Sequence, residues 1–444
     1  MTKAFRHPLL LLTALFAATC ARPQEGPVKE IPTGELPSVT KSFATQIHER
    51  STSKYWRGNR GRTPLNRDIL AASVEAARAY YLSHQKADGN FIYEHDIVLD
   101  KIANDDNQVR QAGALWGLAC LNRDRPNAPT ARSVLRGLDF FYANSRALPI
   151  GKFAPVYPGE TRIKTGMVAL VCLAMTELWR GEQRYFTRVG KGFVDSWFTN
   201  YLDYLAAMEL DNGSWGRDFN LDTRERNPVS SPYYDGECLL AYCRAARYMN
   251  REELIPKIEK IAPLLAKRYT TDEWRKDPGS DLTKSFFQWG CMAFADYVEA
   301  GWKDADQIGD AALALAWWQI HENRLLLRRG NVGYAVEGLV AVHKIARLRG
   351  DRRAMRELKR VIDQVLSELV TWQVNGPLEA ENFFLRTLGH RPKLAFGGIM
   401  SRRDSGIVRI DTVQHQVHAT LMAMEELYPD PDAARKKRTT PSNP

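Results

Sequence analysis

Residues 107–115 read Asn107-Gln108-Val109-Arg110-Gln111-Ala112-Gly113-Ala114-Leu115, and the apolar run continues through Leu118-Ala119-Cys120-Leu121. A polar first turn, then small residues, then an apolar stretch describes a helix that is covered on both sides. The pattern returns at Thr165-Gly166-Met167-Val168-Ala169-Leu170, Tyr234-Asp235-Gly236-Glu237-Cys238-Leu239 and Ser285-Phe286-Phe287-Gln288-Trp289-Gly290. It returns again at Gly333-Tyr334-Ala335-Val336-Glu337-Gly338-Leu339 and Asp411-Thr412-Val413-Gln414-His415-Gln416. Longer amphipathic helices are predicted between these, at 67–86, 130–145, 188–210, 251–269, 304–325 and 353–374. Strand-like alternation is scarce, so the fold class is all-α.

Helices that are apolar nearly all round need cover on both faces, whereas amphipathic ones face water on one side. An inner ring of six wrapped by an outer ring of six satisfies both. Small residues near each inner-helix start allow the close approach such a ring demands. Links from outer to inner helices are long and turn-rich, as at Asp88-Gly89-Asn90-Phe91, Asp211-Asn212-Gly213-Ser214-Trp215 and Phe396-Gly397-Gly398-Ile399. Long loops within a compact fold are usually functional.

The six-fold alternation, the Asp-Gly-aromatic turns and starts such as Tyr234-Asp235-Gly236-Glu237 and Arg409-Ile410-Asp411-Thr412-Val413-Gln414-His415 resemble the six-hairpin (α/α)6 toroid superfamily. That superfamily includes glycoside hydrolases, helical domains of polysaccharide lyases, glucuronyl C5-epimerases and sugar 2-epimerases. The resemblance spans roughly 65–428 and implies one toroid domain acting on carbohydrate. Squalene-cyclase-like toroids are a poor match, because Ala103-Asn104-Asp105-Asp106 lacks the first Asp of their acid motif.

The 444-residue chain is 44% apolar and 26% charged, which excludes a disordered or fibrous protein. Lys3 and Arg6, the apolar stretch Leu9–Ala18 and the small residues Thr19-Cys20-Ala21 form an export signal over 1–21. Cys20 is where a lipoprotein signal would be acylated, yet Thr19 and Ala17 depart from the Leu-x-Gly/Ala-Cys pattern. Plain export to the periplasm is therefore the leading expectation, and an outer-membrane lipid anchor the alternative. Residues 22–64, with Pro23, Pro27, Pro32 and Pro37, read as an extended tether, and 429–444 as a basic tail carrying Arg435-Lys436-Lys437-Arg438. Part of the net +10 charge therefore lies outside the folded domain. Five cysteines remain after Cys20, without CxxC or Cys/His spacing, and read as buried thiols with at most one disulfide through Cys238 or Cys243.

In a toroid the inner-helix starts converge on one mouth. The catalytic candidates there are Asp105, Asp106, Asp235, Glu237, Glu337 and His415; the substrate-binding candidates are Arg110, Trp215, Tyr234, Tyr334, Asp411 and Gln414. Glu160, Lys164 and Gln288 converge with them. Carboxylates serve as acid and base at a glycosidic bond, and a His serves as proton shuttle. Asp105, Asp235 and Asp411 have the alternative role of helix caps, and Arg110 that of ion-pair partner to Asp106. Glu237 and Glu337 lie inside apolar inner helices, where an unpaired charge is costly. Trp215 and Tyr234 are the aromatics expected to be exposed in the cleft, suited to stacking on sugar rings. His418 is expected to pack or face solvent. No zinc spacing occurs, so no metal is expected, and no cofactor. Phosphate-loop, dinucleotide and nucleophile-elbow motifs are missing, and export disfavours nucleic acid as a partner.

The leading functional expectation is an exported enzyme hydrolysing a polysaccharide with paired carboxylates. The alternative is uronate C5-epimerisation or β-elimination, with Tyr234 or Tyr334 and His415 moving a proton while Arg110 and Gln414 neutralise the carboxylate. Arg110, Lys164, Arg217, Arg402, Arg403 and Arg409 near one mouth suit an anionic glycan. A glycan-binding or assembly protein without turnover is the third reading.

Overall fold

The computed structural model describes residues 62–181 and 191–430 together with the isolated Ala44. The signal, nearly all of the tether and the basic tail lie outside the described residues.

Among the described residues twelve long helices alternate: α1 (Arg67–His84), α2 (Gln108–Asp124), α3 (Ala128–Ala143), α4 (Thr165–Gly181), α5 (Lys191–Ala207) and α6 (Pro232–Tyr248) form the first half. The second half is α7 (Ile255–Lys267), α8 (Asp281–Ala300), α9 (Ala305–His321), α10 (Gly333–Leu348), α11 (Arg352–Val370) and α12 (Ile410–Glu426). The even-numbered helices pack side by side from α2 round to α12, and α12 returns onto α2 to close the ring. The odd-numbered helices pack outside them. This is an all-α, (α/α)6 toroid.

Burial follows from composition. Every residue of α2 from Gln111 to Asn122 is buried, because the helix is enclosed by neighbouring inner helices and by the outer ring. On α11 burial is confined to a stripe through Ala354, Leu358, Val361, Ile362, Val365 and Leu366, and basic and acidic residues fill the other face. Asn side chains supply the caps at several starts: Asn107 accepts from the backbone N–H of Val109 and Arg110, and Asn127 from that of Thr130. Asp235 and Asp411 do not cap their own helices.

Close approach in the inner ring depends on glycine. A Cβ on Gly236 would stand 2.5 Å from the Trp289 side chain, and one on Gly166 would stand 2.2 Å from Glu237 Oε2. Neither position has room for a methyl group.

Short strands tie the links together over the mouth. Strands β1 (Glu94–Asp96), β2 (Lys101–Ile102), β8 (Met400–Arg402) and β9 (Ser405–Arg409) form an antiparallel sheet ordered β2-β1-β9-β8. Pairing of Glu94 with Arg409 joins the first link to the last. A second sheet joins β5 (Arg162–Lys164) to β6 (Asp218–Asn220) and β7 (Glu225–Arg226), and β3 (Ser145–Ala147) pairs with β4 (Phe153–Pro155). Sequence periodicity did not reveal these pieces, since none exceeds five residues. Cys120, Cys172, Cys238, Cys243 and Cys291 are free and buried, so the disulfide considered for Cys238 or Cys243 is not formed. Among the described residues no helix is long and apolar enough to cross a membrane.

Candidate functional site

The inner-helix starts and their links enclose a cavity of about 500 Å³ at the mouth. α2 and its cap contribute Asn107, Gln108, Arg110 and Gly113; the second link contributes Glu160 and Lys164. α6 contributes Tyr233, Tyr234 and Glu237, while α8 contributes Lys284, Gln288 and Trp289. Arg328 and Tyr334 come from the start of the fifth inner helix and its link, and Asp411, Gln414 and His415 from α12.

Glu237 is 3% exposed, and its Oε2 has no hydrogen-bond partner among the described residues. Desolvation alone pushes its carboxyl well above the usual range and so favours the protonated form. The bare Cα of Gly166 on the neighbouring helix makes the space in which this carboxyl and the Tyr234 ring sit. Burial, and then the proximity of Glu237, likewise pushes the Tyr234 hydroxyl up.

His415 reaches the cavity from α12, and its orientation is fixed from behind. Its Nδ1 lies 2.9 Å from Oε2 of Glu337, and the other oxygen of Glu337 lies 2.7 Å from Nδ1 of His418. Gln288 donates to Glu337 Oε2 at 2.6 Å, and Gln414 donates to Oε1 at 3.4 Å. With a proton on each Nδ1, the Glu337 carboxyl group accepts from both imidazoles, and Nε2 of His415 is then the nitrogen left without a proton. The Gln288 amide nitrogen also lies within hydrogen-bond distance of His415 Nδ1, at 3.2 Å. Glu337 is fully buried and does not line the cavity; it positions His415 rather than meeting a ligand. His418 is also buried, edge-on to Trp116 at 4.3 Å.

Asp411 is engaged in pairs. Arg409 donates to it through Nε at 3.0 Å and through a terminal nitrogen at 2.8 Å, and Arg110 Nε lies 3.3 Å away. Arg110 also donates to the Tyr93 hydroxyl. Asp411 therefore holds two guanidiniums beside the cavity, and Arg110 pairs with it rather than with Asp106.

Four expected residues stand elsewhere. Asp105 is exposed and outside the cavity lining. Asp106 accepts from Tyr157 at 2.6 Å and from Gln111 at 2.7 Å, which clamps the first two links onto α2. Asp235 turns to the outer ring, where it accepts from the Trp215 backbone at 2.9 Å and the Tyr269 hydroxyl at 2.6 Å. Burial pushes its carboxyl up to about 7, against the opposing pull of Tyr269, Trp215 and Arg268. Trp215 is fully buried, edge-on to Tyr242, and is not exposed in the cleft as its loop position suggested. The geometric reason is helical: Asp235 and Glu237 are about 200° apart around one helix, so only one of them faces the axis.

Lys284 and Arg328 line the cavity and were not anticipated. Lys284 stands one turn before Gln288 on the same face of α8, a spacing that identifies it. Arg328 lies in an irregular link that carries no periodic signal. Among the described residues no group of three or more His, Cys, Asp or Glu is placed to hold a metal ion.

The sequence matches no known family profile and no curated protein. Among solved structures it is similar to D-mannose isomerase at 10% identity, with a TM-score of 0.57 over 81% of this chain and 98% of that one. Cellobiose 2-epimerase from Bacillus thermoamylovorans B4167 aligns at 11% identity and TM-score 0.55, over 81% and 99%. The cellulase Cel9M of C. cellulolyticum aligns at 12% identity and TM-score 0.50, over 82% and 99%. At such identities the shared property is the (α/α)6 toroid fold.

Proposed function

We propose that this chain is an exported carbohydrate-active enzyme that moves protons on a sugar bound at the mouth, with Glu237 as the neutral acid and His415 as the base. One observation carries the reading. A buried carboxyl with an unpartnered oxygen lines the same cavity as an imidazole whose far nitrogen is fixed by a buried carboxylate. An acid and a base lining one cavity are the parts that proton transfer requires.

The carboxylate pair expected for hydrolysis has a weaker basis. Of the other carboxylates lining the cavity, Asp411 is engaged by Arg409 and Arg110, and Glu160 is exposed. The set fits proton transfer at a carbon acid better: His415 Nε2 removes the proton, and Glu237 or Tyr234 returns one. Arg110 and Lys164 then offset the negative charge that develops on the substrate. This is the chemistry of epimerisation or β-elimination. Hydrolysis remains the second reading, favoured by the burial that raises the Glu237 carboxyl toward the protonated form a general acid needs at a glycosidic oxygen.

Incubation with neutral and uronic-acid glycans in D2O separates these readings. Proton transfer predicts solvent deuterium in a recovered stereoisomer, or an unsaturated uronate. Reducing-end release without deuterium in the sugar would assign hydrolysis instead. Binding without any product would mark a glycan-binding protein.

A further inference from the structure

A second cavity, of about 350 Å³, adjoins the mouth, and Arg328 lines both. Its other basic residues are Arg62, Arg329 and Arg403, against a single acid, Glu368, which is paired with Arg62. Arg329 and Arg403 have no ion-pair partner among the described residues. Their backbones are nevertheless fixed beside each other, since Arg403 N–H donates to the Arg329 carbonyl at 3.2 Å and Asn331 N–H to the Ser401 carbonyl at 2.7 Å. Both side chains are exposed along the lining of this cavity.

The opposite end of the barrel shows what this chain does with arginines that have structural partners. There Arg123, Arg180 and Arg244 pair with Glu177, Arg247 pairs with Asp296 and Glu299, and Arg347 pairs with Glu426. Arg329 and Arg403 lack that neutralisation, whereas Arg62 has it from Glu368. Two further features suit a sugar there: Gln364 Oε1 is buried without a donor, and Leu327, in the same lining, is 41% exposed. A hydroxyl group could donate to the amide oxygen, and a ring face could cover the leucine.

We infer that the second cavity is a subsite for an anionic glycan chain, reached from the mouth across Arg328, in which Arg329 and Arg403 pair with a carboxylate of a sugar residue remote from the reacting one. The inference rests on the reading of the mouth as a sugar site and adds that the substrate is a polymer bearing carboxylates. Arg328 then bridges the reacting residue and the remote one. Arginine is suited to this role because its planar fork meets a carboxylate in bidentate fashion.

Calorimetric titration of the full chain with a monouronate, with longer linear oligouronates and with neutral oligosaccharides of matching length provides the test. Wild-type affinity should rise with uronate length. The double variant Arg329→Gln/Arg403→Gln should lose about tenfold affinity per guanidinium for long oligouronates and none for the monouronate. An unchanged monouronate affinity also reports an intact fold. If the monouronate binds but length has no effect, or if the double variant keeps the wild-type length dependence, the second subsite is refuted while the mouth reading stands. Equal gains with neutral chains would refute the charge assignment. If no uronate of any length binds the wild type, an anionic sugar at the mouth is refuted, and the remote subsite with it.

Discussion

Glu177 and Glu237 are both buried in the inner ring, at opposite ends of the barrel, and their surroundings differ completely. Glu177, near the end of α4, accepts from Arg123 and Arg244 and from Arg180 at 2.9 Å. Burial alone would raise its carboxyl, but Arg123, Arg244 and Arg180 outweigh that and hold it well below the usual range. Glu237, near the start of α6, has burial and no cation to offset it. The rear of the barrel is a compensated charge network in which each buried acid meets guanidiniums. The mouth holds a buried carboxyl that no cation offsets and whose Oε2 has no partner, an arrangement that costs stability and suits chemistry.

The largest expected effects test this contrast directly. Glu177→Gln leaves three guanidiniums short of a buried counter-charge and should lower stability by about 3–5 kcal/mol in chemical denaturation. Glu237→Gln replaces a neutral carboxyl by a neutral amide and should leave stability within about 1 kcal/mol of wild type. Its turnover should nevertheless fall by roughly 10²–10⁴-fold, the usual contribution of an acid or base group. If the two substitutions cost the same stability, the division between a structural and a chemical end is wrong.

Asp235 gives a second, smaller effect with a definite sign. Its folded value of about 7 lies above the unfolded value, so the folded state binds more protons and stability falls as pH rises from about 4 to about 7. Asp235→Asn removes that slope. The stability of the variant relative to wild type should therefore improve across this window by a few kcal/mol at most and level off above it. Thermal melts over the pH range read the difference, and a parallel pair of curves would show that Asp235 is ionised in the fold.

Gly166→Ala is the mildest test. A methyl group there meets Glu237 Oε2 and the Tyr234 ring and should cost about 1–3 kcal/mol through overpacking, with turnover reduced as both side chains shift. Unchanged turnover would mean that the placement of Glu237 is not demanding.

The toroid was legible because each inner helix repeats one composition, and the predicted starts at Asn107, Thr165, Tyr234, Gly333 and Asp411 fall within a turn of the observed ones, while Ser285 falls four residues after Asp281. Facing was not. Glu237 and Asp235 look alike in sequence, but one reaches the axis and the other bonds Tyr269, whose position depends on the π-turn Arg268–Asp272 that continues α7. Glu337 was legible as a glutamate that must be compensated, whereas its partners His415 and His418 come from a helix some 80 residues away. Trp215 follows a turn-rich loop that read as exposed, yet tertiary packing encloses it completely. Periodicity reports burial, but which buried polar group meets the cavity depends on helix rotation and on long-range partners.

Isotope-edited infrared spectroscopy of the full chain, labelled with ¹³C at glutamate side-chain carboxyls, measures the central contrast without any substrate. At neutral pH the wild type should show a protonated-glutamic-acid carbonyl band that disappears in Glu237→Gln and survives in a Glu337→Gln control. Absence of that band from the wild type, or its persistence in Glu237→Gln, would contradict a neutral acid at the mouth.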